Sequence, residues 1–449
     1  MKKFKLSFLS LTTIFSLLAT ISYGQWLETT ITVGSNPYAL VYNMTNNKIY
    51  SANWGSYSVS VIDGATNSVI TTIPIGGTPR TLVYNPTNNK VYSANYYNSN
   101  VTVIDGATNS ILTTISVGTF PCAFVYNLTN NKVYCANYYS NNVTAIDGTT
   151  NSVITTIPVG TFPIALVYNP TDNKVYSANY YSNNVTVIDG ATNSILTTIP
   201  AGSYPNAFVY NPTDNKIYCA NGGSDNVTVI DGATNSVITT IPVGRWPLAL
   251  AYNPADNKIY CANNWRDTVT VIDGATNSVI TTIPVGDEPY ALVYNPTNNK
   301  VYCANEYSDN VTVIDGATNI VITVIGVGDG PIAFTYNPQY NRVYVANYYG
   351  NSVSVIRDVM PWIEECTMLD ASRSTFEIYP NPARTHFTVR LPHNANRSTV
   401  RIFDASGTLV KSIEMTKPEA KVLLQGISSG IYFVQHDNNR TITKLVVTK

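Results

Sequence analysis

The sequence predicts an all-β protein, a β-propeller of short four-stranded blades followed by a small β-sandwich. The first observation is a repeat. The phrase VTVIDGATNSVITTIPVG recurs in variant forms with its Asp at Asp63, Asp105, Asp147, Asp189, Asp231, Asp273 and Asp315, so neighbouring copies lie 42 residues apart. A period of about 40–45 residues built only from strand-like segments marks propeller blades. The second is composition: 33 tyrosines with abundant Val, Ile, Thr and Asn, and only 12% charged residues. Aromatic and β-branched side chains favour pleated, half-buried surfaces. The third is a break in pattern after Val-Ser-Val-Ile-Arg at 353–357, where the repeats give way to a different run of short alternating strands.

The chain opens with lysines in Met-Lys-Lys-Phe-Lys, continues with the apolar run LSFLSLTTIFSLLATIS, and reaches Ser22-Tyr23-Gly24 before Gln25. A basic start, a short apolar stretch and small residues three and one positions before a cut describe a cleaved export signal over 1–24. The run is too short and too broken by Ser and Thr to span a bilayer, no Cys follows it to mark a lipid anchor, and no later segment is apolar for long enough. A formal net charge of −1 argues against nucleic acid or an anionic membrane as the main partner.

Each repeat reads as four strands. In one unit Thr81 to Asn85 is a first strand, Lys90 to Asn95 a second, Val101 to Asp105 a third and Ser110 to Val117 a fourth, with polar turns at Pro86-Thr87-Asn88-Asn89 and Gly106-Ala107-Thr108-Asn109. The first-strand Tyr-Asn pair starts at Tyr42, Tyr84, Tyr126, Tyr168, Tyr210, Tyr252, Tyr294 and Tyr336, which gives eight blades. The chain enters on a fourth strand, Leu27 to Val33, and leaves the repeats after a third. Two orphan strands would expose unpaired backbone, so the N-terminal strand is expected to complete the last blade and close the ring.

The units VYSANYYNSNVTVIDGATNSILTTISVG and VYCANEYSDNVTVIDGATN resemble the YVTN-type β-propeller repeat of secreted and surface-layer proteins, over roughly residues 26 to 357. That family is usually drawn with seven blades, which makes seven the alternative to eight.

Differences among the repeats point to one face. The turns NPTNNK and DGATNS barely change, whereas the loop after the fourth strand and the loop after the second change a great deal. Alternating strand directions put both variable loops at one end of each blade. Phe120, Phe162, Tyr204 and Trp246 share one position there, and Arg245-Trp246 should meet Trp265-Arg266-Asp267. Flat rings with Arg nearby suit sugar rings or protein hot spots; the alternative is that many of the loop tyrosines only pack against the neighbouring blade. Asp287, Glu288, Glu306, Asp309 and Asp329 gather on the last two blades. They lack the spacing of a Ca²⁺ loop and read as solvated charges, so no metal is expected. The recurrent turn Asp reads as a hydrogen-bond acceptor for its own turn.

Cys135, Cys219, Cys261 and Cys303 hold one second-strand position that other repeats fill with Ser or Val. Equivalent points on packed sheets lie about 10 Å apart, beyond the roughly 7 Å limit for a disulfide. They are expected to be small buried fillers, and Cys122 and Cys366 have no evident partner. All three histidines, His386, His393 and His436, lie beyond the repeats, and no nucleophile elbow or phosphate loop is present. The ring is expected to be non-catalytic and to take no cofactor.

Residues 358–375 read as a linker and 376–449 as the β-sandwich. Tyr379-Pro380-Asn381-Pro382, Val400 to Asp404 with Gly407, Gly430-Ile431-Tyr432 and Lys444-Leu445-Val446 resemble the type A sorting domain of the type IX secretion system. The resemblance implies export, recognition by the type IX translocon, and processing by a sortase with release or attachment at the cell surface. The combined reading is a propeller over 25–357 acting outside the cell as a non-catalytic binding or scaffold module for a protein or glycan ligand. The alternatives are a glycan-binding adhesin using the aromatic loops, and a propeller enzyme of lactonase or lyase type.

Overall fold

The computed structural model describes residues 24–358, 377–379, 383–390, 398–404, 409–417, 419–436 and 439–448. The export signal, nearly all of the linker with Cys366, and Pro380, Asn381 and Pro382 of the sorting motif lie outside the described residues. The chain divides into two compact units, one over Gln25–Asp358 and one holding the strands that follow.

The first unit contains, among the described residues, eight four-stranded antiparallel sheets. The second sheet is representative, with strands Pro79–Asn85, Lys90–Asn95, Asn100–Asp105 and Ile111–Ser116 in that order. Its two inner strands alternate β-branched and small residues that are buried on both faces, so Val91, Tyr92, Ala94, Val101, Val103 and Ile104 have no exposed surface. The first strand of each sheet touches that of the next, and the eighth touches the first, giving a closed circuit.

The closure expected from the two orphan strands is present. The N-terminal strand Gln25–Thr32 pairs antiparallel with Ser352–Asp358, completing a sheet whose other strands are Arg342–Asn347 and Pro331–Asn337. Glu28 on the N-terminal strand meets Arg342 and Arg357 of this sheet. The last strand runs to Asp358, one residue past the expected boundary, because Asp358 is wholly buried and bonded into the ring.

The unvarying turns fasten neighbouring sheets. Lys132 Nζ reaches across to Gly190 O at 2.9 Å, Ala191 O at 2.9 Å and Asn193 Oδ1 at 3.1 Å, and the buried Tyr134 hydroxyl donates to Gly190 O and Asn193 Oδ1. Asn127 Nδ2 donates to Asn173 Oδ1 at 2.8 Å. Gly190 itself must be Gly, since a Cβ there would lie 2.4 Å from Asn173 Oδ1. The same set recurs at sheet after sheet, which explains why both turns resist change along the chain.

The turn Asp accepts backbone N–H groups as expected: Asp105 Oδ1 lies 2.9 Å from Ala107 N and 2.8 Å from Thr108 N. Backbone donation from the turn Thr holds the carboxyls of Asp105, Asp147, Asp189, Asp231 and Asp273 below the ordinary Asp range. A depressed folded pKa contributes stability above the unfolded value, about 3.9 for Asp, and loses it as pH falls through the folded value. The melting temperature is therefore expected to fall as pH drops below about 4. An Asp189→Asn/Asp231→Asn variant should show a shallower fall; an unchanged pH profile in that variant would discount these carboxylates.

Cys135, Cys219, Cys261 and Cys303 are free and fully buried in the second strands, as small fillers, and Cys122 is buried and free as well. The second unit has a three-stranded sheet, Glu377–Tyr379, His386–Arg390 and Glu419–Leu423, and a four-stranded sheet ordered Leu409–Met415, Ser398–Asp404, Gly430–His436, Asn439–Val447. Phe387 and Val389 of the first share one buried cluster with Val400, Ile402, Val434 and Leu445 of the second.

Candidate functional site

Both variable loops lie at the same end of each sheet and are bonded to each other. Tyr138 N donates to Phe120 O at 2.9 Å, Tyr180 N to Phe162 O at 2.9 Å, and Asn264 N to Trp246 O at 3.0 Å. A second pin comes from the preceding sheet. Asn141 Oδ1 accepts from Phe162 N at 2.9 Å, Asn183 Oδ1 from Tyr204 N at 3.1 Å, and Asp225 Oδ1 from Trp246 N at 2.9 Å.

The backbone around these pins is unusual. Phe120, Phe162, Tyr204 and Trp246, each just before a proline, have φ of 59°, 57°, 57° and 55°. Of the equivalent residues, Asn36 and Gly330 have φ of 53° and 67° and are types that tolerate this region, whereas Glu288, with φ of 52°, is not. For a bulky side chain the left-handed region costs on the order of 1–3 kcal/mol, and a following proline restricts the residue further. Four successive sheets therefore retain aromatic rings where Asn or Gly would sit more easily.

Three of these rings stack across a sheet boundary: Phe120 on Tyr96 at 4.6 Å, Phe162 on Tyr138 at 4.4 Å, and Tyr204 on Tyr180 at 4.7 Å. Gly222 and Gly223 replace the tyrosine pair of the fifth sheet. Trp246 lies over Gly222 instead and stacks on Trp265 of its own sheet at 4.4 Å and 13°. The Arg245 guanidinium carbon is 5.1 Å from the centre of the Trp265 ring, so the expected meeting of Arg245, Trp246 and Trp265 is present, with Arg266 exposed at the next position.

Ring contacts of 4.4–6.3 Å join Tyr349, Tyr348, Tyr38, Trp54, Tyr97, Phe120, Tyr139, Phe162, Tyr181, Tyr204, Trp246 and Trp265 into one belt. The two readings of the tyrosines divide within it. Tyr96, Tyr138 and Tyr180 are half-buried packing partners, whereas Tyr97, Tyr139 and Tyr181 are 56–62% exposed and Trp265 is 50% exposed.

The belt is interrupted where the acidic residues gather. Asp309 Oδ1 accepts from Gly330 N at 2.9 Å, the same pin role as Asp225. Burial, with repulsion from Glu288, pushes the Glu306 carboxyl up. Among the described residues no group of three or more His, Cys, Asp or Glu is placed to hold a metal ion.

Sequence reasoning passed over Arg80. Its guanidinium carbon lies 5.5 Å from the Tyr38 ring and 4.8 Å from that of Tyr96, inside the belt. Its signal was available, since no other repeat has a cation after the strand-opening proline.

In the second unit, Tyr379 is 38% exposed and its hydroxyl donates to Glu419 Oε1 at 2.8 Å. Tyr432, two residues after the strand-opening Gly430, is buried, and its hydroxyl donates to Ser428 O at 3.0 Å. Lys444 lies on the last strand opposite Phe433, with its side chain outside the described residues.

Residues 377–449 match the family described as Secretion system C-terminal sorting domain, and residues 243–368 match the family described as YNCE-like beta-propeller. Beta-agarase A of Zobellia galactanivorans is 33% identical over 81 residues, which are 18% of this chain and 15% of the agarase. Among solved structures, Hydrazine Synthase of Kuenenia stuttgartiensis has a TM-score of 0.54 at 21% identity, over 63% of this chain and 96% of that one. Saccharomyces cerevisiae Sqt1 has a TM-score of 0.66 at 11% identity, over 75% and 99%. At such identities the likeness is one of fold alone. The sorting domain indicates secretion or attachment at the cell surface, and no helix among the described residues is long and apolar enough to cross a membrane.

Proposed function

We propose that this chain, which carries a YNCE-like β-propeller domain and a secretion system C-terminal sorting domain, is a non-catalytic binding module working outside the cell. Its eight sheets form an eight-bladed ring, the C-terminal sheets pack as a β-sandwich, and the ligand sits on the aromatic belt. One observation carries this reading: bulky rings at Phe120, Phe162, Tyr204 and Trp246 hold left-handed backbone that Asn or Gly would hold at lower cost. Strain of this kind collects at functional sites. The histidines, the usual carriers of proton transfer, lie outside the ring sequence.

A saccharide chain is the ligand class that suits the belt. The second, third, fourth and sixth sheets each turn an exposed ring outward, at Tyr97, Tyr139, Tyr181 and Trp265. A series of flat amphipathic faces offers apolar contact to one side of each sugar ring while leaving hydroxyls to solvent. The test is a glycan-array screen of the full chain beside Trp246→Ala/Trp265→Ala of matched melting temperature. Binding by the wild type that drops at least ten-fold in the variant is the expected result. No binding to any glycan by the wild type would overturn the saccharide assignment and direct the search to a protein partner.

A further inference from the structure

We propose that the Arg80 guanidinium is an anion-docking point at the mouth of the ring, receiving a carboxylate or sulfate group carried by the saccharide ligand. The inference rests on the saccharide reading above and narrows it to acidic glycans.

The first strand bulges between Pro79 and Thr81, as it does at this point in every sheet of the ring, which takes Arg80 out of the regular ladder. The side chain is part-buried between the Tyr38 and Tyr96 rings, at 5.5 Å and 4.8 Å. Tyr290 and Cys122, from two further sheets, are near enough to act on it electrostatically. No carboxylate lies within ion-pair distance of Arg80 among the described residues. The contrast is with Arg342 and Arg357, the other two guanidinium groups on strands of the ring, which share Glu28.

A guanidinium withdrawn from water without a counter-charge is costly, and ring faces compensate only part of that cost. Its planar fork matches carboxylate and sulfate oxygens in a two-point contact, which a Lys cannot reproduce. The same repeat position carries Asn206, whose Oδ1 is buried with no hydrogen-bond partner among the described residues. An acidic sugar supplies the oxyanion that Arg80 lacks.

The test is calorimetric titration of the full chain with three probes of matched length: oligogalacturonate, a sulfated dextran oligomer and neutral dextran. At least one acidic probe should bind more tightly than neutral dextran, with an affinity that falls as NaCl rises. Arg80→Gln should weaken that probe about ten-fold or more, and weaken neutral dextran far less. Arg80→Lys should recover only part, and supplies the comparison if Arg80→Gln melts lower than wild type. Which acidic probe responds separates carboxylate from sulfate. Equal affinity for acidic and neutral probes, no binding of either acidic probe, or an unaltered affinity in both variants would overturn the proposal. Should neutral glycans still bind through Trp246 and Trp265 in that case, the saccharide reading survives and only the anion site falls.

Discussion

Asp358→Ala is expected to destabilise the ring by about 3–5 kcal/mol, the range for removing one partner of a buried charged pair. Asp358 is fully buried, and its Oδ1 accepts from Lys300 Nζ at 2.7 Å and Gln25 Nε2 at 3.0 Å. Its Oδ2 accepts from Tyr302 Oη at 2.6 Å and Asn295 Nδ2 at 2.7 Å. The position is that of the turn Gly in the other repeats, as at Gly316, whose carbonyl accepts from Lys258 at 2.7 Å and Tyr260 at 3.1 Å. The last repeat lacks the Gly-Ala-Thr-Asn sequence at this point, and the Asp358 carboxylate accepts the Lys and Tyr bonds that the turn carbonyl accepts at Gly316. Gln25 belongs to the strand that closes the ring, so Asp358 ties the seventh sheet to the closing strand. Losing it strands the Lys300 charge and the Gln25 and Tyr302 donors at the seam, while Asn295 Nδ2 keeps Asn341 Oδ1 at 2.8 Å. Asp358→Asn, which keeps one acceptor oxygen, should cost less, about 1–3 kcal/mol. Denaturant unfolding of the three proteins checks this, and a loss below about 1 kcal/mol for Asp358→Ala would contradict the assigned role.

The seam shows what the sequence made legible. Strand order and closure followed from counting Tyr-Asn pairs and from the orphan strands at each end, because periodic burial leaves a periodic trace. Asp358 did not stand out, since its role depends on a contact with Lys300 and Tyr302 that is local only in space. The variable face was legible as a face, because residues that fasten sheets repeat while those that do not are free to differ. Its internal order was not. The stacking of Phe162 on Tyr138, and the turn of Trp246 onto Trp265 where Gly222 and Gly223 leave no ring, follow from packing between sheets. Left-handed φ at an aromatic residue before proline contradicts what local propensity predicts for those residues. At Phe162, Tyr204 and Trp246 it goes with the pins from Asn141, Asn183 and Asp225, which only the assembled ring brings into place.

Replacing Phe120, Phe162, Tyr204 and Trp246 together by Asn is expected to abolish ligand binding while changing stability little. Two opposing effects meet at each site. The substitution loses a ring contact worth about 0.5–1.5 kcal/mol and some apolar burial. It gains relief from left-handed backbone of order 1–3 kcal/mol, since Asn36 already occupies this conformation in the first sheet at φ 53°. The pins from Asn141, Asn183 and Asp225 bond only to backbone N–H groups and survive the change. The net effect on unfolding free energy is therefore small, whereas binding loses four platforms of the belt, and interface energy concentrates on such aromatic anchors. The readouts are denaturant unfolding and binding to whichever glycan the wild type selects. Lost binding with stability within about 2 kcal/mol of wild type would show that the rings are kept for recognition against a local conformational cost. A fall in stability of several kcal/mol with retained binding would mean that the stacks on Tyr96, Tyr138 and Tyr180 are what hold neighbouring sheets together, and the belt would then be a structural fastening on the variable face, parallel to the Asn and Lys contacts on the other.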